Sequence, residues 1–202
     1  MSTFTLPLFP LPEVFLYPGT FLPLHIFEPR YRSMLEFTME NGGEIGLAPY
    51  PKTWKGLGHP PLPEIVGYGH VIQKETLLDG RSNILIEGLG TATLLSLDST
   101  DPFYISQADR RVHEKNPKND LEFSERLDEL LHLTKRILLS EGADESLILK
   151  MNQIFEHPYP VDFISSILYF DFKTRQEILE ETNLKSKSKR LHEILLELNL
   201  TE

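Results

Sequence analysis

The chain has 202 residues, a formal net charge of -10 and no cysteine. Its length allows one domain or two modest ones with separate cores, and its acidic balance disfavours nucleic acid and anionic membrane as partners. The missing cysteines exclude a disulfide framework, thiol catalysis and thiolate metal sites.

The apolar N-terminus has no basic leader, and no apolar run reaches bilayer length, so the expectation is a cytoplasmic globular protein without membrane attachment. Between Leu6 and Tyr31 five prolines interrupt an almost continuous apolar run before Pro29 opens a helix. Proline removes a backbone donor and drives its predecessor toward extended geometry, which argues against a single helix and against a central strand. The segment is therefore read as short extended pieces joined by tight turns, held to a core by Phe9, Val14, Phe15, Leu22, Leu24, Ile26 and Phe27.

A helix is predicted over Arg30 to Glu40, with Tyr31, Met34, Leu35 and Thr38 inward and Asn41-Gly42-Gly43 as its stop. Strands follow at Glu44 to Ala48 and Glu64 to Gln73, separated by a loop from Pro49 to Pro63 that carries Trp54. The Asp79-Gly80 turn leads into a strand from Arg81 to Glu87, and Gly88-Leu89-Gly90 separates this from another at Thr91 to Leu97. Tyr104 to Val112 is the last strand. Five or six strands with one helix suggest a twisted, partly closed barrel.

From Leu121 onward apolar residues recur at helical spacing and prolines almost vanish. The polar stretch His113 to Asp120 reads as the join, which divides the chain into a β domain at 1–115 and a helical bundle at 116–202. Asn119 with Glu122 suggests a capping box for a long helix carrying Leu127, Leu130, Leu131, Thr134, Ile137 and Leu138 on one face. Asp144 caps a second helix with Leu147, Ile148, Met151 and Phe155, and three more helical segments lie at Val161 to Phe170, Thr174 to Glu181 and Lys187 to Leu198. The basic run Lys185, Lys187, Lys189 and Arg190 reads as a solvated helix terminus.

No glycine-rich stretch has the spacing of a phosphate loop or dinucleotide fingerprint, no nucleophile elbow is present, and the histidines form no compact ligand pattern. No cofactor and no metal are implied. His25 is assigned a structural hydrogen bond rather than chemistry, and Glu28 a place at the helix start with Arg30 or Arg32 as ion-pair partner. Tyr50 and Trp54 flank a loop that offers apolar contact area to a peptide, with the alternative that Trp54 pins the loop to its own domain. Arg110, Arg111, His113 and Lys115 form a small basic cluster better suited to intramolecular docking than to RNA.

The block LPLFPLPEVFLYPGTFLPLHIFEPRYRSML, at residues 6–35, resembles the opening of the N-terminal domain of the ATP-dependent Lon protease family. Pro10, Pro18, Gly19, Pro23, His25, Phe27, Glu28, Pro29, Arg30 and Tyr31 carry the likeness, which continues through Asp79, Gly80 and Arg81 and into the helical half at Asp162 to Leu168 and Gln176 to Glu180. The resemblance implies an α+β fold, a PUA-like twisted β-barrel with one inserted helix followed by an α-helical bundle. It also implies a non-catalytic module that recognises exposed or unfolded polypeptide segments. The ATPase and protease modules of full-length Lon have no counterpart in the 202 residues, so neither activity is expected here. The candidate contact residues are Tyr50, Trp54 and His59, with Phe15, Tyr17 and Phe21 from the first segment and Arg110 and Arg111 at the junction. RNA binding, by analogy with other PUA-like folds, and regulation of a separate protease stand as alternatives, and the oligomeric state is left open.

Overall fold

The computed structural model of the protein describes residues 3–56, 58–99, 101–117 and 119–200. Leu57 in the predicted loop and Lys118 in the predicted join lie outside the described residues, as do Met1, Ser2, Thr100, Thr201 and Glu202. The chain divides into two compact units, 1–112 and 113–202.

In the first unit β1 (Phe4–Pro12), β2 (Phe21–Ile26), α1 (Pro29–Glu40), β3 (Glu44–Tyr50), β4 (Ile65–Thr76), β5 (Ser82–Ser99) and β6 (Tyr104–Arg111) follow in order. The sheet order is β2-β5-β4-β3-β1-β6, and a further β5–β6 pairing closes five of the strands into a ring. The 18-residue β5 makes this possible. Its first half pairs with β2 on one side and β4 on the other, and its second half exchanges β2 for β6. The predicted break at Gly88-Leu89-Gly90 is therefore not an end of the strand: β5 continues through it, with a register shift against β4 that leaves Leu89 without a partner in that ladder.

Three further expectations for this unit are corrected. β1 is an interior strand despite Pro7 and Pro10, because residues 4–7 pair only with β6 and residues 9–12 only with β3, and the two ladders share Leu8 alone. Each proline thus sits where one side of the strand needs no donor, as on an edge strand. Phe27 is 57% exposed, since alternation places its neighbour Ile26 inward. Phe15 and Tyr17, named as contact residues, are both buried, which for Phe15 agrees with its place among the core residues of this segment. They lie in the turn-rich segment between β1 and β2, whose backbone crosses two glycines of the sheet so closely that a Cβ on Gly67 would stand 2.0 Å from the Leu16 carbonyl oxygen, and one on Gly88 2.1 Å from that of Tyr17.

Helix α1 buries Tyr31, Met34, Leu35 and Thr38, the face its spacing predicts. Tyr31, Met34 and Leu35 form one core cluster with Phe9, Ile45, Leu47, Ile84 and Ile86, while Leu6, Leu8, Val66, Tyr68, Tyr104 and Ala108 belong to a second. Burial pushes the Tyr31 hydroxyl up to about 12, against the pull of the Arg30 guanidinium 4.4 Å over its ring.

The second unit contains α2 (Leu121–Ser140), α3 (Glu145–Lys150), a 3₁₀ turn at Met151–Glu156, α4 (Pro160–Ile167), α5 (Phe172–Glu180) and α6 (Leu184–Leu200). The cap of α2 is Asp120, one residue after the predicted Asn119, and its carboxylate accepts from the Phe123 N–H at 3.1 Å. The helix beginning after Asp144 tightens to 3₁₀ at Met151 and stops at His157, where Pro158 disfavours further helix. Lys187 departs from the expected solvated terminus: it is 2% exposed, and its Nζ donates to Asp162 Oδ1 at 2.6 Å. Residues 184, 187, 191 and 195 share the inner stripe of α6, which turns Lys187 inward with Leu184, Leu191 and Leu195. The ammonium also faces His113 Nδ1 at 3.4 Å, so His113, expected in a segment with little to bury, is buried as well.

Backbone N–H groups or neighbouring hydroxyls hold the carboxyls of Asp79, Asp120, Asp144 and Asp171 below their ordinary value. At Asp120 the Phe123 N–H is the main cause and Lys185 adds to it. A carboxyl depressed in the folded state binds fewer protons than in the unfolded chain, so its stabilisation is present above the ordinary value of 3.8 and is lost as pH falls through the folded value. Thermal unfolding followed by circular dichroism is expected to show the midpoint dropping below about pH 4, less steeply in Asp120→Ala.

Candidate functional site

At the end of the sheet where β5 outruns β4, a groove of about 390 Å³ is lined by His59, Pro60, Leu62, Pro63 and Glu64 on the loop side and by Leu94 to Leu97, Tyr104 and Ser106 on the strand side. The loop closes over this end because both its ends are pinned. At its start Trp54 meets Tyr50 edge-on at 5.7 Å between ring centroids, the Trp54 N–H donates to the Pro51 carbonyl, and Lys52 pairs with Glu13 at 3.2 Å. Farther along, His59 Nδ1 lies 2.6 Å from the Tyr104 hydroxyl, with the rings edge to face. Burial raises the Tyr104 hydroxyl above its ordinary value.

The strand wall is apolar at its rim. Leu95 is 53% exposed and Leu97 47%, whereas Leu62 and Leu94 pack partly buried on the cluster beneath. Ser96 Oγ donates to Asp98 Oδ1 at 2.5 Å, and Ser106 Oγ donates to the Ser96 carbonyl. Glu64 brings the only carboxylate among the lining residues, and no lysine or arginine lines the groove. Among the described residues no cluster of three or more histidine, aspartate or glutamate side chains could hold a metal ion, and no helix is long and apolar enough to cross a membrane.

The predicted contact residues do not gather in one place. His59 lines the groove, and Tyr50 and Trp54 anchor the start of its loop, with Trp54 half-buried as a pin. Phe15 and Tyr17 are interior and belong to the scaffold. Phe21 is exposed, but it lies opposite Glu87 on the edge strand β2, about 20 Å along β5 from the groove. Arg110 lies at the far end of β6 from Tyr104, where it makes a two-pronged pair with Glu44 at 2.7 and 2.9 Å, donates to the Tyr68 hydroxyl at 3.1 Å and stacks over Phe4 at 4.1 Å. The hydrogen bonds to Glu44 first, and to the Tyr68 hydroxyl after it, raise its pKa further above the ordinary arginine value, and together the contacts make it a latch across the barrel. Arg111, opposite Thr91, is at that same end. Leu62, Glu64, Leu95 and Leu97 were missed. The alternation of Leu95 and Leu97 with Ser96 was visible, but the sequence does not reveal that β4 ends before reaching them.

The family-motif residues sit mostly around β2 and α1. His25 Nδ1 lies 2.8 Å from Asn83 Oδ1, and Glu28 pairs with Arg30 at 3.0 Å without capping α1 by its side chain. Gly80, at φ +80°, closes the turn in which Asp79 holds Arg81 at 2.6 Å.

Residues 5–197 match the family described as the ATP-dependent protease La (LON) substrate-binding domain. Lon protease of Parabacteroides distasonis is 24% identical over 195 residues, 95% of this chain and 24% of that protein, and Lon protease of Dictyoglomus thermophilum is 22% identical over 92% of this chain and 23% of its own. The chain thus spans about a quarter of the length of these relatives. The N-terminal domain of a Mycobacterium avium complex Lon protease superposes with a TM-score of 0.70 over 95% of this chain and 97% of its own at 13% identity. A Lon N-terminal domain protein from Xanthomonas campestris gives 0.66 over 96% and 98% at 18% identity. Near-complete coverage in both directions shows that the six-stranded sheet and the helices after it are one shared α+β fold, and the chain belongs to the ATP-dependent protease La (LON) substrate-binding domain family.

Proposed function

We propose that the protein is a non-catalytic recognition module that binds exposed or unfolded polypeptide segments in the groove between the His59–Glu64 loop and the end of β5. The observation that carries this reading is the pair of exposed leucines, Leu95 and Leu97, at the mouth of an apolar concavity on a rigid barrel. Covering what the two half-exposed side chains still show to water contributes about 1.5–3 kcal/mol in all, enough for reversible capture but not for permanent attachment. Membership of a substrate-binding family supports the same reading. RNA binding gains nothing from the structure, because no lysine or arginine lines the groove and Arg110 is engaged with Glu44.

Fluorescence anisotropy with one protein in native and permanently unfolded forms tests the proposal. The unfolded form is expected to bind at least about tenfold more tightly, and Leu95→Asp/Leu97→Asp to weaken it about tenfold or more without moving the thermal midpoint. Equal affinity for the two forms, or none for either, overturns the reading.

A further inference from the structure

We propose that the groove selects an extended segment in which an apolar side chain is flanked by a lysine or arginine, laid along the free side of β5. This rests on the recognition reading above and specifies the class of segment.

The first observation is a length mismatch between strands. The β4 ladder ends at the Ile65–Thr93 pair, with one more bond from the Leu94 N–H to the Glu64 carbonyl at 2.8 Å, whereas β6 stays paired with β5 as far as Ser99. From Leu95 to Asp98, among the described residues, β5 therefore has a strand neighbour on one side only. Backbone groups on the other side have no strand partner, and an added extended chain supplies one.

The second observation is that this edge is short and interrupted. Register shifts between Leu94 and Ser96 and between Leu97 and Ser99 break the regular ladder. Such bulges keep an exposed edge from open-ended pairing with a second copy, so the edge suits a short segment rather than a continuing sheet.

The third is charge. The groove is lined by one exposed carboxylate, that of Glu64, and by no lysine or arginine to balance it. A cationic flank on the incoming segment is attracted and an anionic one repelled, within a chain already at -10.

The test uses fluorescent peptides that share one extended apolar core and differ in flanks of lysine, glutamine or glutamate. The lysine-flanked peptide is expected to bind tightest, by about fivefold over the glutamate-flanked one at low salt. Glu64→Lys, an exposed substitution expected to leave folding intact, is expected to reverse that order, and a proline inside the core is expected to abolish the gain from backbone pairing. An order that survives Glu64→Lys, or a proline-containing core that binds as well as its parent, overturns the proposal. If unfolded protein still binds equally to the parent, Glu64→Lys and Leu95→Asp/Leu97→Asp, the site is overturned while polypeptide recognition stands. If the parent binds no unfolded protein, both readings fall together.

Discussion

Gly88→Ala is expected to destabilise the barrel by about 3–5 kcal/mol, the sum of backbone overpacking and weakened hydrogen bonds. The new Cβ would stand 2.1 Å from the Tyr17 carbonyl oxygen. A main-chain atom cannot rotate away as a flexible side chain does, so the segment between β1 and β2 must lift. Lifting it strains the bonds from the Gly19 N–H to the Gly88 carbonyl at 2.7 Å and from the Gly88 N–H to the Thr20 carbonyl at 2.8 Å. It also loosens Leu16 and Tyr17, which are almost fully buried. The neighbouring Leu89→Ala, on the exposed side of the same strand, is expected to cost about 0.5 kcal/mol or less. Urea unfolding of the two variants side by side checks the claim, and equal midpoints would show that the close crossing is not what holds the segment down.

The second large effect lies in the helical unit. Lys187→Met leaves Asp162, 2% exposed, without its cation and is expected to cost about 3–5 kcal/mol, whereas Lys187→Met/Asp162→Leu is expected to recover most of the loss. Burial already pushes the Asp162 carboxyl above its ordinary range, against the opposing pull of Lys187. Without the ammonium that pull is gone and the folded pKa rises further. A carboxyl raised in the folded state binds more protons there than in the unfolded chain, so the penalty from Asp162 in the single variant is absent below the ordinary value of 3.8 and sets in as pH rises through the folded value. Thermal melts from pH 4 to pH 8 are expected to show the deficit of Lys187→Met growing with pH. A deficit constant across that range would mean that packing, not the unpaired charge, accounts for the loss.

Local chemistry was legible where a residue acts on its own neighbourhood. Pro29 opens α1, Asp144 caps α3 and Gly80 closes its turn, each through contacts within a few residues. The change from strand to helix periodicity around residue 113 was legible for the same reason. What escaped depends on partners distant in the chain. Pro7 and Pro10 speak against an interior strand until it is known that β6 and β3 take different halves of β1. Gly88 looks like a strand breaker until Tyr17 is seen crossing it. Lys187 reads as a surface residue unless the stripe from Leu184 to Leu195 is extended through it and Asp162 is supplied from α4. The groove escaped for a similar reason, since it is made by the unequal lengths of two strands and by a loop whose far end is anchored on Tyr104.

The pairing of β1 with β6 has a consequence for the chain as it is made. Thr5 and Gln107, whose side chains meet at 3.2 Å, are 102 residues apart, and the ring has no closing strand until residues 104–111 have left the ribosome. At about 5–20 residues per second, Leu6 and Leu8 wait roughly 5–20 s for their cover. A β-rich unit of this size closes in milliseconds to seconds once its strands are present. Delivery of the last strand, rather than the folding reaction, therefore sets the time for which this apolar N-terminus stands open to other proteins in the cell.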